Sequence, residues 1–211
     1  MKLPLFVLVS ICLSAQPAFF GRELLGRVTN TSVTVNVAPV NALEFYFEYG
    51  TVSGAYTSKT ATVSTPAATP LHVLIDKLQP DTRYYYRLRY REPGAAAFLE
   101  GVERSFRTQR PRGATFSFAL QFDPHMDENS DGEVYKLTLR NQLAGNNDFL
   151  IDLGDTMLTD KLNTSGQPIG TNGSNCNNGP TAAGVLARVQ LHRSYYDLIT
   201  GSVPLFLALG N

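Results

Sequence analysis

The segment Leu43-Glu44-Phe45-Tyr46-Phe47-Glu48-Tyr49 places its leucine, both phenylalanines and its last tyrosine on one face, and its glutamates on the other. This period of two predicts a β-strand with one buried face. The same alternation recurs on both sides, in the segments 31–37, 71–75, 84–90 and 103–108. Short strands separated by turn signals about every 8–12 residues predict an all-β sandwich over residues 22–108.

One turn in this region has a specific signature. The segment 78–84, Leu-Gln-Pro-Asp-Thr-Arg-Tyr, contains a turn followed by Tyr84 at the start of a strand. This spacing predicts a tyrosine corner, in which the hydroxyl bonds to the backbone a few residues upstream. Together with the strand pattern, it resembles a fibronectin type III domain, and more narrowly the N-terminal domain of purple acid phosphatases.

The period changes after the polar segment 109–113, Gln-Arg-Pro-Arg-Gly, which we interpret as a linker. Residues 114–211 then alternate between strand and helix, which predicts an α/β domain. The predicted elements are strand 115–121, helix 133–144, strand 148–153, helix 182–199 and strand 203–209. The last strand is almost wholly apolar, as in a sheet covered on both faces. The apolar face of the second helix is predicted to contain Val185, Val189, His192, Tyr196 and Ile199, with His192 as a core residue rather than a ligand.

Metal-capable side chains follow each of the three predicted α/β strands. Asp123 and His125 follow the first strand, Asp155 follows the second, and Asn211 follows the third. Because parallel strands present their carboxyl ends at the same edge of a sheet, these four side chains are expected to converge. Carboxylate, imidazole and amide ligands suit Zn, Mn or Fe.

The motifs Asp123-Pro124-His125, Gly154-Asp155 and Gly210-Asn211 resemble the first three motifs of the calcineurin-like metallophosphoesterases. The resemblance implies the first half of an α/β metallophosphoesterase sandwich that hydrolyses phosphate esters with two divalent or trivalent metal ions (Fe, Zn or Mn). It implies that Asp123 and His125 bind one ion, that Asp155 bridges both, and that Asn211 binds the second. Two ions of this kind activate a water for in-line attack on phosphorus.

The sequence departs from the family pattern in two respects. Purple acid phosphatases have Gly where this chain has His125, and Tyr where it has Leu158. The resemblance is therefore to a non-purple relative without the metal-bound tyrosinate. The chain also ends at Asn211, where the family continues with His, so no catalytic residue beyond the metal ligands is assigned. We expect a fragment with little or no phosphatase activity, because the second ion would have only two protein ligands.

A second metal-binding interpretation concerns the segment 127–134, Asp-Glu-Asn-Ser-Asp-Gly-Glu-Val. It matches the opening of an EF-hand loop, but Thr138 stands where that loop needs a bidentate Glu. The simpler interpretation is a polar turn in which Asn129, Ser130 or Asp131 caps the following helix.

Residues 1–18 have the pattern of a secretory signal peptide, with Lys2, an apolar run over 3–13 and small residues before Phe19. The apolar run is too short to span a bilayer of about 30 Å, so no membrane span is predicted. We therefore expect a secreted or periplasmic protein. The 18 basic and 18 acidic residues balance, which argues against nucleic-acid binding by bulk charge.

Two function classes remain from the sequence. The first is a secreted metal-dependent hydrolase of phosphate esters, and the strand-end ligands favour it. The alternative is a non-catalytic extracellular binding or adhesion module carried by the sandwich.

Overall fold

A computed structural model of the 211-residue chain describes residues 19–126, 130–156 and 182–208. The predictions for the signal peptide, Leu158 and Asn211 lie outside these residues. The first half contains only strands, namely β1 (Leu24–Gly26), β2 (Val33–Val37), β3 (Leu43–Gly50), β4 (Ser58–Lys59), β5 (Val63–Thr65), β6 (Leu71–Ile75), β7 (Arg83–Arg91), β8 (Leu99–Glu100) and β9 (Arg104–Arg107). The second half contains β10 (Phe118–Gln121), α1 (Gly132–Ala144), β11 (Phe149–Asp152), α2 (Ala182–Tyr196) and β12 (Leu205–Leu207).

The predicted β-sandwich is confirmed. Strands β1, β2 and β6 form one layer, while β4, β3, β7 and β8 form the other, with β5 beside β3 and β9 beside β7. The alternating side chains of the two layers meet in a core whose largest fully buried members are Phe45, Phe47, Tyr86 and Phe106. Burying such aromatic side chains supplies most of the stabilisation of a small sandwich.

The tyrosine corner is also present. The hydroxyl of Tyr84 accepts a hydrogen bond of 2.9 Å from the backbone N–H of Gln79. On the same strand the outward positions hold four arginines and Tyr85. Arg87, Arg89 and Arg91 pair with glutamates on the neighbouring strands; one such pair joins Arg91 Nε to Glu44 Oε2 at 2.7 Å. The alternation in β7 therefore places tyrosines in the core and arginines on the outer face of the same strand.

The second half has the predicted strand–helix–strand–helix–strand order in its described part. Strands β10, β11 and β12 are parallel and adjacent in that order. Helix α1 begins after Asp131, whose Oδ1 accepts from the backbone N–H groups of Glu133 and Val134. This N-cap satisfies donors that a helix terminus otherwise leaves unpaired.

One face of the three parallel strands packs against the helices in a core that includes Ala119, Leu139, Leu150 and Ile199. The last strand has the composition of a strand covered on both faces, but in the described residues it is partly exposed. Phe206, on the face opposite the buried Leu205, is 43% exposed, and Leu207 at the end of the strand is 48% exposed.

The two halves share a sheet. Strand β12 pairs in parallel with β1 through Gly26 and Leu205, which gives the order β10-β11-β12-β1-β2-β6. One sheet therefore contains strands from both sides of the predicted linker at 109–113. The contact is short, because one register pair joins two strands of three residues each.

Side chains reinforce this junction. Arg104 of β9 lies with its Nη2 2.9 Å from Asp197 Oδ1 and its Nε 3.2 Å from Glu23 Oε2. The buried hydroxyl of Tyr86 donates to the backbone carbonyl of Gly201 at 2.7 Å. The turn that follows α2 is thus held against the sandwich by an ion-pair cluster and a buried hydrogen bond.

The buried face of α2 differs from the predicted one. Val189 is 42% exposed, whereas Arg188 is 5% exposed and His192 is 4% exposed. A periodicity that counts only apolar residues overlooks arginine, whose long stem packs well in a protein interior. The placement of His192 in the core is as predicted. No described helix is both long and apolar enough to span a membrane.

Candidate metal centre

The site is built from two neighbouring loops that follow β10 and β11. Backbone hydrogen bonds continue between these loops after the strand pairing ends. The N–H of Asp123 donates to the carbonyl of Gly154 at 3.0 Å, and the N–H of His125 donates to the carbonyl of Asp155 at 3.2 Å. The strand register therefore extends into the loops and holds the two peptide segments side by side.

These loops bring together three of the four predicted ligands. Each of Asp123, His125 and Asp155 offers one ligand atom, and the three atoms lie within 4.8 Å of one another. The Nε2 atom of His125 is in direct contact with Oδ1 of Asp123. The side chains of Asp123 and His125 are 56% and 50% exposed, so solvent and a dissolved substrate can reach the group.

The backbone is strained at all three positions. Asp123, His125 and Asp155 have φ angles of 56°, 42° and 49°, and Gly154 has 95°. Non-glycine residues adopt this left-handed region rarely, at a cost of about 1–3 kcal/mol each. Such strain persists only where the surrounding structure enforces it, and it is concentrated at functional sites.

The fourth predicted ligand, Asn211, lies outside the described residues, as does Leu158. The EF-hand interpretation falls partly on residues 127–129, which are also outside them. Its last position is Thr138, which lies inside α1 with its hydroxyl donating to the carbonyl of Val134 at 3.1 Å. Asp131 is the helix N-cap, so the capping interpretation of this segment is the one the structure shows.

The donor set fits a transition-metal ion. Two carboxylates and one imidazole match the ligand preferences of Zn, Mn and Fe, and three protein ligands leave coordination positions open. Carboxylates gathered this closely repel one another unless a cation or proton compensates their charge. The arrangement can therefore bind a divalent cation at a solvent-accessible edge of the sheet.

A buried polar cluster lies beneath the site and was not predicted. Asp152 is fully buried at the end of β11, and it accepts hydrogen bonds from Gln121, Thr156 and Tyr196. The sequence did contain a signal, since a carboxylate in an otherwise apolar strand is rarely buried without partners. The apolar residues around Asp152 predict the strand but not the partners of its carboxylate.

His192 borders this cluster from α2. Its ring lies 4.3 Å from that of Tyr196 and 6.4 Å from that of Tyr135, measured between centroids. Its buried Nε2 atom makes no hydrogen bond with any described residue. Burial lowers the pKa of His192 from 6.5 to about 4, so the imidazole is neutral at physiological pH.

Among the comparisons with known proteins, only the one with solved structures finds similar proteins. No protein-family model matches the sequence, and a search of curated proteins gives no match. Among solved structures, PhoD is similar over 94% of this chain with a TM-score of 0.64 and 18% identity. The chain spans 40% of the length of PhoD.

Two human fibronectin type III domains each align with 48% of the chain. The domain of the collagen alpha-1(XX) chain is covered over 98% of its length, with 26% identity and a TM-score of 0.33. The sixth domain of fibronectin type III domain containing protein 3 is covered over 94%, with 21% identity and a TM-score of 0.35. The likeness to PhoD extends across both halves, and the chain therefore shares the fold of the corresponding part of PhoD.

Proposed function

We propose that this chain belongs to a metal-dependent hydrolase of phosphate esters of the calcineurin-like type, with a purple acid phosphatase-type N-terminal sandwich. The observation that carries the proposal is the convergence of Asp123, His125 and Asp155, with ligand atoms within 4.8 Å of one another. The group lies at the carboxyl edge of parallel strands, where α/β proteins bind their ligands. The fold shared with PhoD is consistent with this activity.

In this proposal the two loops preorganise the ligands before any ion arrives. Their backbone hydrogen bonds fix Asp123 and His125 relative to Asp155, so binding an ion requires little reorganisation of the peptide. A bound ion would supply Lewis-acid activation of water and compensation of charge on the phosphoryl oxygens. Asp123 and His125 are the most exposed of the group, which leaves their side open to an incoming phosphate.

The remaining parts of the proposal rest on the sequence. We propose that Asn211 is a ligand of a second ion bridged by Asp155, as the resemblance implies. We further propose a signal peptide over 1–18 with a secreted or periplasmic location, and a division into a sandwich over 22–108, a linker over 109–113 and a phosphoesterase domain from 114.

The first test is metal binding by the full 211-residue chain. Isothermal titration with Zn²⁺ and Mn²⁺ is expected to show saturable binding that H125A weakens by more than about tenfold. The matched control is H72A, because His72 is also exposed but lies on β6 of the sandwich. Binding that H125A and H72A leave equally unchanged would rule out the proposed site.

The second test asks whether the bound metal recruits a phosphate group. Inorganic phosphate is expected to bind the Zn²⁺-loaded chain and not the metal-free chain or the H125A variant. Phosphate binding that is indifferent to metal would contradict a phosphoesterase site. A chain that binds none of the tested ions would instead favour the non-catalytic binding module.

A further inference from the structure

We propose that Asp152 is a positioning residue for the metal centre, whose single buried carboxylate fixes the backbone that carries Asp155. The inference rests on the proposed metal site, but it concerns a residue that offers no ligand atom to that site. Asp152 lies at the end of β11, on the helix-covered face of the sheet, with 0% of its surface exposed.

One oxygen of the carboxylate holds the loop. Oδ1 of Asp152 accepts from the backbone N–H of Gly154 at 2.9 Å, and the hydroxyl of Thr156 lies 3.1 Å from Oδ1 and 3.2 Å from Oδ2. These two residues flank Asp155 on both sides. The positive φ angles of Gly154 and Asp155, of which only the one at Asp155 is strained, therefore occur in a segment that is fastened at its two ends to the same side chain.

The other oxygen fastens the neighbouring elements. Oδ2 of Asp152 accepts from Gln121 Nε2 at 2.5 Å and from the hydroxyl of Tyr196. Gln121 is the last residue of β10, the strand that leads to Asp123, and Tyr196 is the last residue of α2. One side chain thus connects both ligand-bearing loops to the helix that packs beneath them.

The electrostatics are consistent with a fixed carboxylate. A buried carboxylate is tolerated only where several donors compensate for its lost hydration, and Asp152 has four. Burial, followed by the hydrogen bond to Asp152, raises the pKa of Tyr196 well above its ordinary value, so its hydroxyl remains a donor. Gln121 in turn donates to the hydroxyl of Tyr135 at 3.0 Å, which extends the network to α1.

The consequence concerns metal affinity rather than chemistry. Without Asp152 the donors of Gly154 and Thr156 lose their acceptor, and the segment keeps only its backbone hydrogen bonds from Asp123, His125 and Met126. The Asp155 carbonyl also accepts from the N–H of His125, so a disordered loop would release that ligand as well. Outer-shell partners of metal ligands typically change affinity by about 10–100-fold when they are removed.

The experiment measures Co²⁺ and Zn²⁺ affinity of the full chain, with the visible spectrum of bound Co²⁺ as a report on ligand geometry. D152A is expected to weaken binding by about 10–100-fold and to alter the spectrum. D152N is expected to retain most of the affinity, because its amide oxygen still accepts from Gly154. The amide nitrogen of the introduced asparagine can donate to Oε1 of Gln121, a buried atom without a hydrogen-bond partner among the described residues, once the Gln121 amide group rotates.

A matched pair of threonine variants covers the case in which D152A does not fold. T156V removes a buried hydroxyl bonded to Asp152, and T200V removes a buried hydroxyl bonded to the Tyr196 carbonyl. Both changes are isosteric, and both positions lie in the second half of the chain. Only T156V is expected to weaken Zn²⁺ binding, by about tenfold. Equal affinities of T156V, T200V and the unmodified chain would overturn the role of Asp152. An unmodified chain that binds no ion would instead overturn the metal site.

Discussion

Replacing His192 with glutamine tests whether one buried imidazole makes this protein sensitive to acid. The groups that face His192 are Tyr135 from α1, Tyr196 and Arg188 from α2, and Asp152 from β11. Burial is the largest cause of its low pKa; the charge of Asp152 opposes this effect and the charge of Arg188 adds to it. The imidazole therefore occupies a site that disfavours its protonated form.

The size of the effect follows from the two pKa values. The unfolded chain takes up a proton near pH 6.5, whereas folded His192 does so only near pH 4. The neutral ring consequently contributes stability that is fully present above pH 6.5 and is lost as the pH falls from 6.5 to about 4. The difference corresponds to about 3 kcal/mol, a large fraction of the total stability of about 5–15 kcal/mol of an ordinary domain.

The assay is urea unfolding of the metal-free chain at several pH values between 7.5 and 4. H192Q is expected to have lower stability than the unmodified chain at pH 7.5, and this gap should shrink by about 3 kcal/mol as the pH falls to 4. H72Q provides the matched control, because it removes an exposed histidine and leaves the buried one in place. Parallel pH profiles for H192Q and the unmodified chain would refute the assignment of acid sensitivity to His192.

Three further predictions follow from the described contacts and the sequence. Y84F should lower the free energy of unfolding by about 1 kcal/mol, because the N–H of Gln79 loses its acceptor. Y85F, on the outer face of β7, should lower it less. Equal effects of the two variants in urea unfolding would contradict a stabilising role of the tyrosine-corner hydrogen bond. D131A should cost about 1 kcal/mol through loss of the α1 N-cap, and an unchanged unfolding midpoint would show that water replaces the cap. The iron-loaded chain should have no visible tyrosinate charge-transfer band, since Leu158 stands at the tyrosine position of purple acid phosphatases, and a purple solution would show that another tyrosine binds the metal.

Local features of the fold were predictable because they depend on local sequence. The alternation in 43–49 predicted β3, and the spacing before Tyr84 predicted the corner hydrogen bond. The placement of Asp123, His125 and Asp155 after apolar segments predicted that they approach one another, because strand polarity alone decides which ends meet.

Features that depend on distant pairing were not predictable in the same way. The contact between Gly26 and Leu205 leaves no periodic signal in either segment, so the shared sheet was missed. The burial of Arg188 and Asp152 is not predictable from the sequence pattern, because charged residues are usually exposed. The partners that compensate for burying Arg188 and Asp152 are brought together only in the folded chain.

The pairing of β12 with β1 has a consequence for how the protein is made on the ribosome. All strands of the sandwich are synthesised before β10, and amino-terminal units of a chain generally fold first. The peptide groups of β1 at Gly26 therefore stay without their β12 partner until β12 has been synthesised and has folded. During that interval the nascent chain presents an open sheet edge, which is the kind of surface that chaperones and neighbouring nascent chains recognise. Nascent chains halted before β12 should therefore associate more readily than chains halted after it, which sedimentation of arrested ribosomes can measure.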